Sequence, residues 1–550
     1  MTDLLILIGS KISQDTIHSS LGKPEYSYYF LLKEFLPAFQ AIGTVVEVRS
    51  IAEVESLYDQ HHATGRPVVF ISVSPPQQTP LGLRCPTIPL FAWEFDSLPD
   101  AAWDGDPRND WRYVFERVQG AIATSREAAA LVAGQHRHLP VLAAPAPIWE
   151  RFGAGKIASA RPAQGERRIP FSGVVIDSPL LGLCADGLVR RPDAQAPEPA
   201  AVVEPPKPPS RWKQRLEIGR ILFDGWRREV FGTVETVASS APALVASPIR
   251  DVQVQGVVYT TVLNPADGRK NWIDLITAFC WAFRDTPDAV LLVKMTHHDL
   301  EHYRVVLMTL LSRLAPFSCR VVVLHGFLKD DQYQAMVAAT DYYVNASSCE
   351  GLCLPLMEFL SAGKPALAPR HTAMADYLDE RMAFVVEGAL EPTCWPHDPT
   401  GMLVTHRHRL NWESLMQAFR RSHALATGEP QLYTQMSRAA SRGMERSVRC
   451  RSWPARWRPL SPRSWIPIAR CLPLPVSPEG WWNEVPGSLR GQQRAYRSEP
   501  GAAGLQLLLR AQGIPPAAAW PGRGNGGGAG RGSRFALSAS PRRGRGVRFP

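Results

Sequence analysis

The stretch that decides the fold of this chain is DYYVNASSCEGLCLPLMEFLSAGKP, residues 341–365. Its apolar start, residues 342–346, predicts a short buried strand. Pro355 suits the first turn of a helix, and Gly363 predicts the end of that helix after about two turns. The stretch therefore predicts a strand–loop–helix unit, which is the repeating element of a parallel α/β sheet.

Two glutamates lie eight residues apart in this unit, Glu350 on the loop and Glu358 one turn inside the helix. The helix N-terminus between them presents unpaired N–H groups and the positive end of its dipole, which together favour a phosphate. Two carboxylates beside such a site suit hydroxyl groups on either side of the phosphate. A sugar nucleotide has this layout, with ribose at one end and a hexose at the other. The alternative is a two-turn helix whose glutamates are only solvated.

The unit resembles the E-x7-E element of the retaining, GT-B-fold glycosyltransferases of the large group 1 family. The surrounding order is similar, because residues 321–327 read as a strand and glycine turn, 330–339 as a helix, and 365–376 as the next strand and loop. The resemblance is clear over residues 250–440 and weaker over 1–150. It implies an α/β fold of GT-B architecture, with two Rossmann-like, doubly wound domains that face a cleft.

The apolar pattern along the rest of the chain agrees with two such domains. Strand-like runs alternate with helical patterns over residues 1–150, which favours a parallel sheet buried on both faces. We assign the acceptor to this N-terminal domain and the nucleotide sugar to a C-terminal domain at 251–445. Residues 151–250 read as an insertion or linker, with a proline-rich segment at 191–209.

Two further segments have a distinctive charge. Residues 210–231 predict a basic amphipathic helix, which either lies peripherally on an anionic membrane or packs on a domain as a linker helix. Residues 446–550 predict a disordered Arg/Pro/Gly-rich tail, or else an out-of-frame reading of GC-rich DNA. The last 100 residues hold 16 Arg, no Lys, no Asp and 3 Glu, against a net charge of +10 for the whole chain. Since the excess positive charge belongs to the tail, it predicts no nucleic acid binding by the folded part.

The resemblance implies roles for individual residues. Lys270 and Arg269 would stabilise the departing diphosphate, Glu350 would contact the transferred sugar, and Glu358 would bind the ribose hydroxyls. The family usually places its arginine about five residues before the lysine. In this chain that arginine position falls near Asn264, whereas Arg269 is adjacent to Lys270. The alternative for the Arg269–Lys270 pair is a solvated turn.

Further donor contacts follow from the same resemblance. The implied positions are Gly351, Leu352, Cys353 and Leu354 through their backbone N–H groups, and Gly326 and Phe327 beside the base. Cys353 stands where the family usually has glycine, so its side chain adds bulk to the loop. In the first domain, Glu94 follows a predicted strand, at the edge where open α/β sheets bind ligands. We expect Glu94 to orient the acceptor hydroxyl; the alternative is a loop carboxylate with local hydrogen bonds.

Other features of the sequence bear on cofactors and location. Nine scattered cysteines without CxxC pairing predict a reducing compartment. Residues 104–106 spell DGD, a metal signature of the other major glycosyltransferase fold, but they follow no apolar strand, so we expect no catalytic metal and no cofactor. No signal peptide or membrane span is evident, which predicts a cytoplasmic protein, or one peripheral to the inner face of the plasma membrane.

These observations predict a retaining glycosyltransferase. It would move a sugar from a UDP- or GDP-linked donor to a glycan or lipid-linked acceptor, in surface polysaccharide synthesis. Two alternatives stay open at this point. One is a related GT-B enzyme that hydrolyses or epimerises sugar nucleotides, and the other is a catalytically inactive GT-B domain that acts as an assembly scaffold.

Overall fold

Two parallel β-sheets organise the residues that the computed structural model describes, which are 4–10, 26–153, 165–181 and 250–449 apart from 298, 397 and 399. All of these residues belong to one compact unit. Each sheet carries helices on both faces, so each forms a domain of its own.

The first domain has a six-stranded, wholly parallel sheet in the order β2-β1-β3-β4-β5-β6. Its strands are β1 (Leu5–Gly9), β2 (Thr44–Glu47), β3 (Val68–Val73), β4 (Thr87–Phe91), β5 (Ala121–Ala123) and β6 (Val141–Ala143). Its helices are α1 (Tyr26–Gln40), α2 (Ile51–His62), α3 (Trp111–Phe115), α4 (Arg126–Gln135) and α5 (Trp149–Phe152).

The second domain has a seven-stranded sheet in the order β15-β14-β13-β10-β11-β12-β8, and two smaller antiparallel pairs, β7-β9 and β16-β17. Its strands are β7 (Arg167–Phe171), β8 (Val174–Asp177), β9 (Arg250–Val254), β10 (Val257–Leu263), β11 (Ala289–Met295), β12 (Arg320–His325), β13 (Tyr342–Val344), β14 (Ala366–Pro369), β15 (Ala383–Val386), β16 (Gly388–Cys394) and β17 (Val404–Leu410). Its helices are α6 (Trp272–Ala282), α7 (Leu300–Leu314), α8 (Asp330–Ala339), α9 (Leu354–Ser361), α10 (Trp412–Gly428) and α11 (Pro430–Val448).

The predicted fold class is confirmed: the protein is α/β, with two doubly wound parallel sheets, which is the two-domain arrangement that the GT-B resemblance implied. The deciding stretch forms β13 and α9. Gly363 follows the helix with a φ of +74°, a conformation that glycine adopts without steric cost. The helix therefore ends where the sequence predicts.

The cores of both domains follow from continuous apolar strands. All seven residues of β11 are buried, as a parallel strand covered on both faces requires. Helix α6 buries Trp272, Leu275, Ile276 and Phe279, whose spacing of three and four residues places them on one face of the helix. One apolar cluster continues across both domains, since Phe152 of α5 and Leu356 of α9 belong to it.

Part of the stretch 151–250, which the sequence predicts to be an insertion or linker, forms strands of the second domain. Residues 167–171 form β7, which pairs with β9, and residues 174–177 form β8, which extends the second sheet as its antiparallel edge. Arg167 fixes this segment, because its Nη1 donates to the Asp341 carboxylate at 2.9 Å and to the Ala339 carbonyl at 2.8 Å. The sequence carries no signal for this, since a four-residue edge strand has little periodicity of its own.

Three segments for which the sequence makes predictions lie outside the described residues. These are the proline-rich segment 191–209, the basic helix 210–231 and the tail beyond residue 449. Helix α11 continues to Val448, past the predicted domain end at 445, and it packs on α9 and contacts α5 of the first domain. Among the described helices, none has the length and apolar character that a membrane crossing requires.

The Arg167–Asp341 pair generates a stability prediction. Both side chains are nearly inaccessible, so Asp341→Ala leaves a buried guanidinium unpaired and should lower the free energy of unfolding by about 3–5 kcal/mol. Glu166→Gln is the matched control, because the neighbouring Arg168–Glu166 pair is exposed and should be worth less than about 1 kcal/mol. Urea denaturation measures both. Equal effects of the two substitutions would contradict the anchoring role of Arg167.

Candidate active site

The carboxyl ends of the parallel strands in the two sheets face each other. Thr124, which directly follows β5, donates its hydroxyl to the carbonyl of Gly351 at 2.6 Å. The backbone N–H of Arg126 donates to the Asp376 carboxylate at 2.8 Å. The loops after β5, β13 and β14 therefore meet at the edge where open α/β sheets place their ligands.

The loop after β10 positions two cations. The Asp267 carboxylate accepts from the backbone N–H of Arg269 at 3.3 Å and pairs with its Nε at 3.0 Å. Asn271 has a left-handed φ of +46°, which asparagine tolerates better than most residues. Its side-chain amide donates to the Ala346 carbonyl at 3.0 Å, so this loop is tied to the loop after β13. Arg269 and Lys270 are thus held at the mouth of the second sheet.

Glu350 lies at the centre of the site and is buried. Its Oε1 accepts from Lys270 Nζ at 2.5 Å, and its Oε2 accepts from Arg269 Nη1 at 3.0 Å. The Ser347 hydroxyl donates to Oε1 at 2.6 Å, and the backbone N–H of Glu350 donates to the Thr372 hydroxyl at 3.0 Å. The predicted residues Glu350, Lys270 and Arg269 are therefore in direct contact.

This cluster sets the ionisation of its members. Burial acts to raise the pKa of Glu350, but Lys270 and Arg269 outweigh it and hold that pKa well below its usual range. Burial likewise acts to lower the pKa of Arg269, and the neighbouring carboxylates of Glu94, Glu350 and Asp267 outweigh it and raise that pKa. The arrangement is a buried ion cluster in which the charged forms stabilise one another.

Glu94 of the first domain joins the cluster from the opposite side. Its Oε1 lies 3.6 Å from Arg269 Nε, which is an ion pair across the two domains. Burial raises the pKa of Glu94, with Arg269 opposing the shift. All four side chains that the sequence analysis placed at the reacting centre, Lys270, Arg269, Glu350 and Glu94, are thus brought together.

The loop that leads into α9 is closely packed. A Cβ on Gly351 would lie 3.0 Å from the Ala92 side chain and 3.0 Å from the Trp93 nitrogen, so glycine is the residue that fits here. The Leu352 carbonyl accepts from the Tyr377 hydroxyl at 2.9 Å. Cys353 adopts a left-handed φ of +62° just before Leu354 begins the helix, a conformation that glycine adopts at less steric cost than cysteine.

Glu358 lies in a separate group of charged residues. Its Oε2 accepts a short hydrogen bond from the Tyr333 hydroxyl of α8. Burial is the main cause that raises the pKa of Glu358 to about 7; the charge of Glu34 adds to the rise, while Tyr333 and Arg151 oppose it. Glu34 and Arg151 belong to the first domain, so Glu358 also lies at the domain interface.

The residues around Glu358 form an ion network between the domains. Arg151 pairs closely with the buried Glu34, and its Nη2 lies 3.1 Å from the Asp330 carboxylate of α8. Lys33 Nζ pairs with the same Asp330 at 2.9 Å. This network and the Glu350 cluster approach α9 from its side and from its N-terminus, so both domains flank that helix.

The turn at 326–327 has other neighbours. Gly326 packs close to Phe171, the last residue of β7, and to Ser172 in the turn before the antiparallel edge strand β8. His325 before it is buried and lies 3.2 Å from the His297 carbonyl. Burial lowers the pKa of His325 to about 4, so its ring is neutral near pH 7. The predicted place of Gly326 and Phe327 beside a nucleotide base stays a prediction.

Several residues of the site were missed by the sequence analysis. Ser347 and Thr372 contact Glu350, and the serine could have been found because it lies three residues away in the same loop. Tyr333 and Arg151 near Glu358 left no signal, since each comes from a distant helix. Of the described residues, no group of three or more His, Cys, Asp or Glu side chains is placed to hold a metal ion. In the DGD string at 104–106, which the sequence analysis did not assign to a metal, Asp106 pairs with Arg108.

The fold and the site define a two-domain α/β protein with a charged centre at the domain interface. No family model matches the chain, and no curated protein matches it. Among solved structures, sucrose-phosphate synthase from Thermosynechococcus elongatus is 12% identical, with 84% of this chain and 99% of that chain covered and a TM-score of 0.41. HepE of Anabaena in complex with UDP-glucose is 11% identical, with 82% and 97% covered and a TM-score of 0.40. A glycosyltransferase from Rickettsia africae is 10% identical, with 82% and 96% covered and a TM-score of 0.39.

The raised pKa of Glu358 generates a prediction for stability. Its pKa rises from the usual 4.5 to about 7 on folding, so the folded state favours the protonated form. Wild-type protein therefore loses stability as the pH rises from 4.5 to 7, and Glu358→Gln should gain about 3 kcal/mol relative to it over this range. Urea denaturation at several pH values measures the difference.

Tyr333 supplies the control for this measurement. Its hydroxyl favours the ionised form of Glu358, so removing it in Tyr333→Phe should move the pH dependence to higher pH. A stability difference between wild type and Glu358→Gln that stays constant from pH 4.5 to 7.5 would show that Glu358 does not titrate as described.

Proposed function

We propose that this chain is a retaining glycosyltransferase that takes a sugar from a UDP- or GDP-linked donor and transfers it to a glycan or lipid-linked acceptor. One observation carries the proposal: Lys270 and Arg269 converge on Glu350 beside the N-terminus of α9, and Glu94 of the other domain lies 3.6 Å from Arg269. Two cations, a helix N-terminus and two opposed carboxylates provide what the transfer of a glycosyl group from a diphosphate requires.

The diphosphate is the group that these cations would serve. In the protein alone, the carboxylate of Glu350 balances both Lys270 and Arg269. An arriving diphosphate competes with that carboxylate for the same donors, and it gains negative charge as the sugar leaves. Once they contact the diphosphate, these cations act most strongly on such developing charge, because they need no further reorganisation at the moment of reaction.

The two carboxylates have different environments, which fits different roles. Glu350 stays ionised because Lys270 and Arg269 lower its pKa, so it can accept hydrogen bonds from hydroxyls of the transferred sugar. Burial raises the pKa of Glu94 on the first domain, where we place the acceptor. We assign Glu94 to the orientation of the acceptor hydroxyl. With no enzymic nucleophile assigned, transfer proceeds on the front face of the sugar, with retention.

The nucleoside end of the donor would bind at the second group of charged residues, around Glu358. Glu358 would accept hydrogen bonds from the ribose hydroxyls, in place of the one from Tyr333. The backbone of residues 351–354 lies between Glu350 and Glu358 and would offer its N–H groups to the phosphates. Since Arg151 of the first domain lies beside Glu358, the nucleotide would touch both domains.

Metal independence, cellular location and a role in polysaccharide synthesis are proposed mainly from the sequence. Metal independence is supported by the two cations, which supply the positive charge that a divalent ion supplies elsewhere. A cytoplasmic location, with peripheral contact to an anionic membrane through residues 210–231, would bring the site to a lipid-linked acceptor. A role in surface polysaccharide synthesis follows from the resemblance to the group 1 family.

Titration of the full chain with UDP and with GDP, followed by a hydrolysis assay with a panel of their sugar conjugates, tests the function. The proposal expects micromolar to millimolar binding of one nucleotide and slow hydrolysis of one of its sugar conjugates with retention at the anomeric carbon. If neither nucleotide binds, the remaining interpretation is a catalytically inactive domain that acts as an assembly scaffold. Fast hydrolysis that no acceptor slows would favour the sugar-nucleotide hydrolase.

Lys270 carries the sharpest mutational prediction. Lys270→Ala removes a cation that stabilises the leaving diphosphate, so turnover should fall by about a hundredfold or more while the fold is kept. Lys329→Ala is the control, since Lys329 is exposed on the loop before α8 and should leave turnover unchanged. Steady-state kinetics with the sugar nucleotide found in the panel measure both. Wild-type turnover in Lys270→Ala would contradict the assigned mechanism.

A further inference from the structure

The hairpin β16–β17 of the second domain reaches the first domain beside Glu94. The carboxylate of Asp96 accepts three hydrogen bonds from it: from the Thr405 hydroxyl at 2.8 Å, the backbone N–H of His406 at 3.0 Å and His406 Nδ1 at 2.8 Å. The hydroxyl of Ser97 donates to the Val404 carbonyl at 3.3 Å. Strand β17 therefore binds the loop after β4 through hydrogen bonds of both its side chains and its backbone.

An aromatic contact anchors the same hairpin. Trp395, at its turn end, is buried, and its ring lies 5.4 Å from the ring of Trp93 and 5.4 Å from that of Trp103, edge-on in both cases. Leu403 from the other strand end is buried in the same apolar cluster. Edge-to-face contact is a favoured arrangement of aromatic rings, so these tryptophans add packing to the Asp96 hydrogen bonds at the same loop.

The other end of the hairpin is attached to the Glu350 loop. The backbone N–H of His408 donates to the Ser348 carbonyl at 2.8 Å. Its ring stacks on that of His371 at 4.2 Å, nearly parallel. His371 precedes Thr372, whose hydroxyl accepts from the backbone of Glu350. One hairpin thus connects the loop that carries Glu350 with the loop that carries Glu94.

Glu94 needs such support. Among the described residues, its carboxylate has an ion pair with Arg269 at 3.6 Å, which is longer than a hydrogen bond. Trp93 on one side and Asp96 on the other are the residues that the hairpin holds. The position of Glu94 is therefore set by its neighbours in the chain.

We propose that the hairpin is a clasp between the domains, in which Asp96, Thr405 and His406 are positioning residues that hold Glu94 against the Arg269–Glu350 cluster. This inference deepens the proposed function and rests on it. The clasp acts on the acceptor side of the site, because its contacts surround the loop after β4. The nucleotide side, with Glu358 and the Arg151 network, lies outside its contacts.

The test compares Asp96→Ala, Asp96→Asn and the control Glu391→Gln in the full chain. Glu391 pairs with Arg407 at 2.7 Å within the same hairpin and leaves the Asp96 hydrogen bonds in place. Hydrogen exchange of residues 91–98 and 402–408, measured without ligand, should accelerate about tenfold in Asp96→Ala and stay unchanged in the control. Unchanged exchange in Asp96→Ala would overturn the clasp.

Steady-state kinetics then distinguish a positioning role of Asp96 from a purely structural role. Asp96→Ala should lower kcat about tenfold to a hundredfold, the loss typical of a displaced reacting group, with UDP affinity within about twofold of wild type. Asp96→Asn should recover part of kcat, since its amide oxygen still accepts from the hairpin. An unchanged kcat, or a loss of UDP affinity as large as the loss of kcat, would contradict the positioning role. If the wild-type chain binds no nucleotide, the proposed function fails, and the exchange rates still decide whether the clasp exists.

Discussion

The ion cluster of Glu350 with Lys270 and Arg269 is the interaction on which the rest of the site depends. Charged groups are costly to bury unless they are paired and hydrogen-bonded. Here the pairing is direct, and Ser347 supplies a further hydrogen bond to the same carboxylate. The surrounding backbone follows from this constraint: the left-handed Asn271 turns the chain after Lys270, and its amide binds the neighbouring loop. A buried ion cluster is thereby assembled beside the N-terminus of α9 from two loops of one sheet.

The first domain closes over this centre through contacts of different kinds. Glu94 adds a carboxylate, Thr124 binds the carbonyl of Gly351, and the hairpin β16–β17 returns from the second domain to Asp96. On the far side of α9, Arg151 joins the two domains through an ion network. Because the Glu94 side and the Glu358 side of the interface have separate interdomain contacts, a substitution can disturb one without the other.

Much of the fold and the centre of the site could be predicted from the sequence, because their signals are local. The run at 341–365 carries its strand, its proline and its terminal glycine together, and Lys270 and Glu350 follow from the same frame. Contacts across the chain left no such signal: Tyr333 reaches Glu358 from another helix, and residues 167–177 join the second sheet as short strands. The left-handed backbone of Cys353 has no signal in the cysteine itself, since this conformation is one that glycine usually adopts.

The most direct test of the central claim is a structure of the full chain with UDP bound. We predict that the diphosphate lies at the N-terminus of α9. Lys270 Nζ and the Arg269 guanidinium should contact its oxygens at about 2.7–3.2 Å, in exchange for their present bonds to Glu350. The contradicting result is UDP bound elsewhere, with both cations still paired to Glu350.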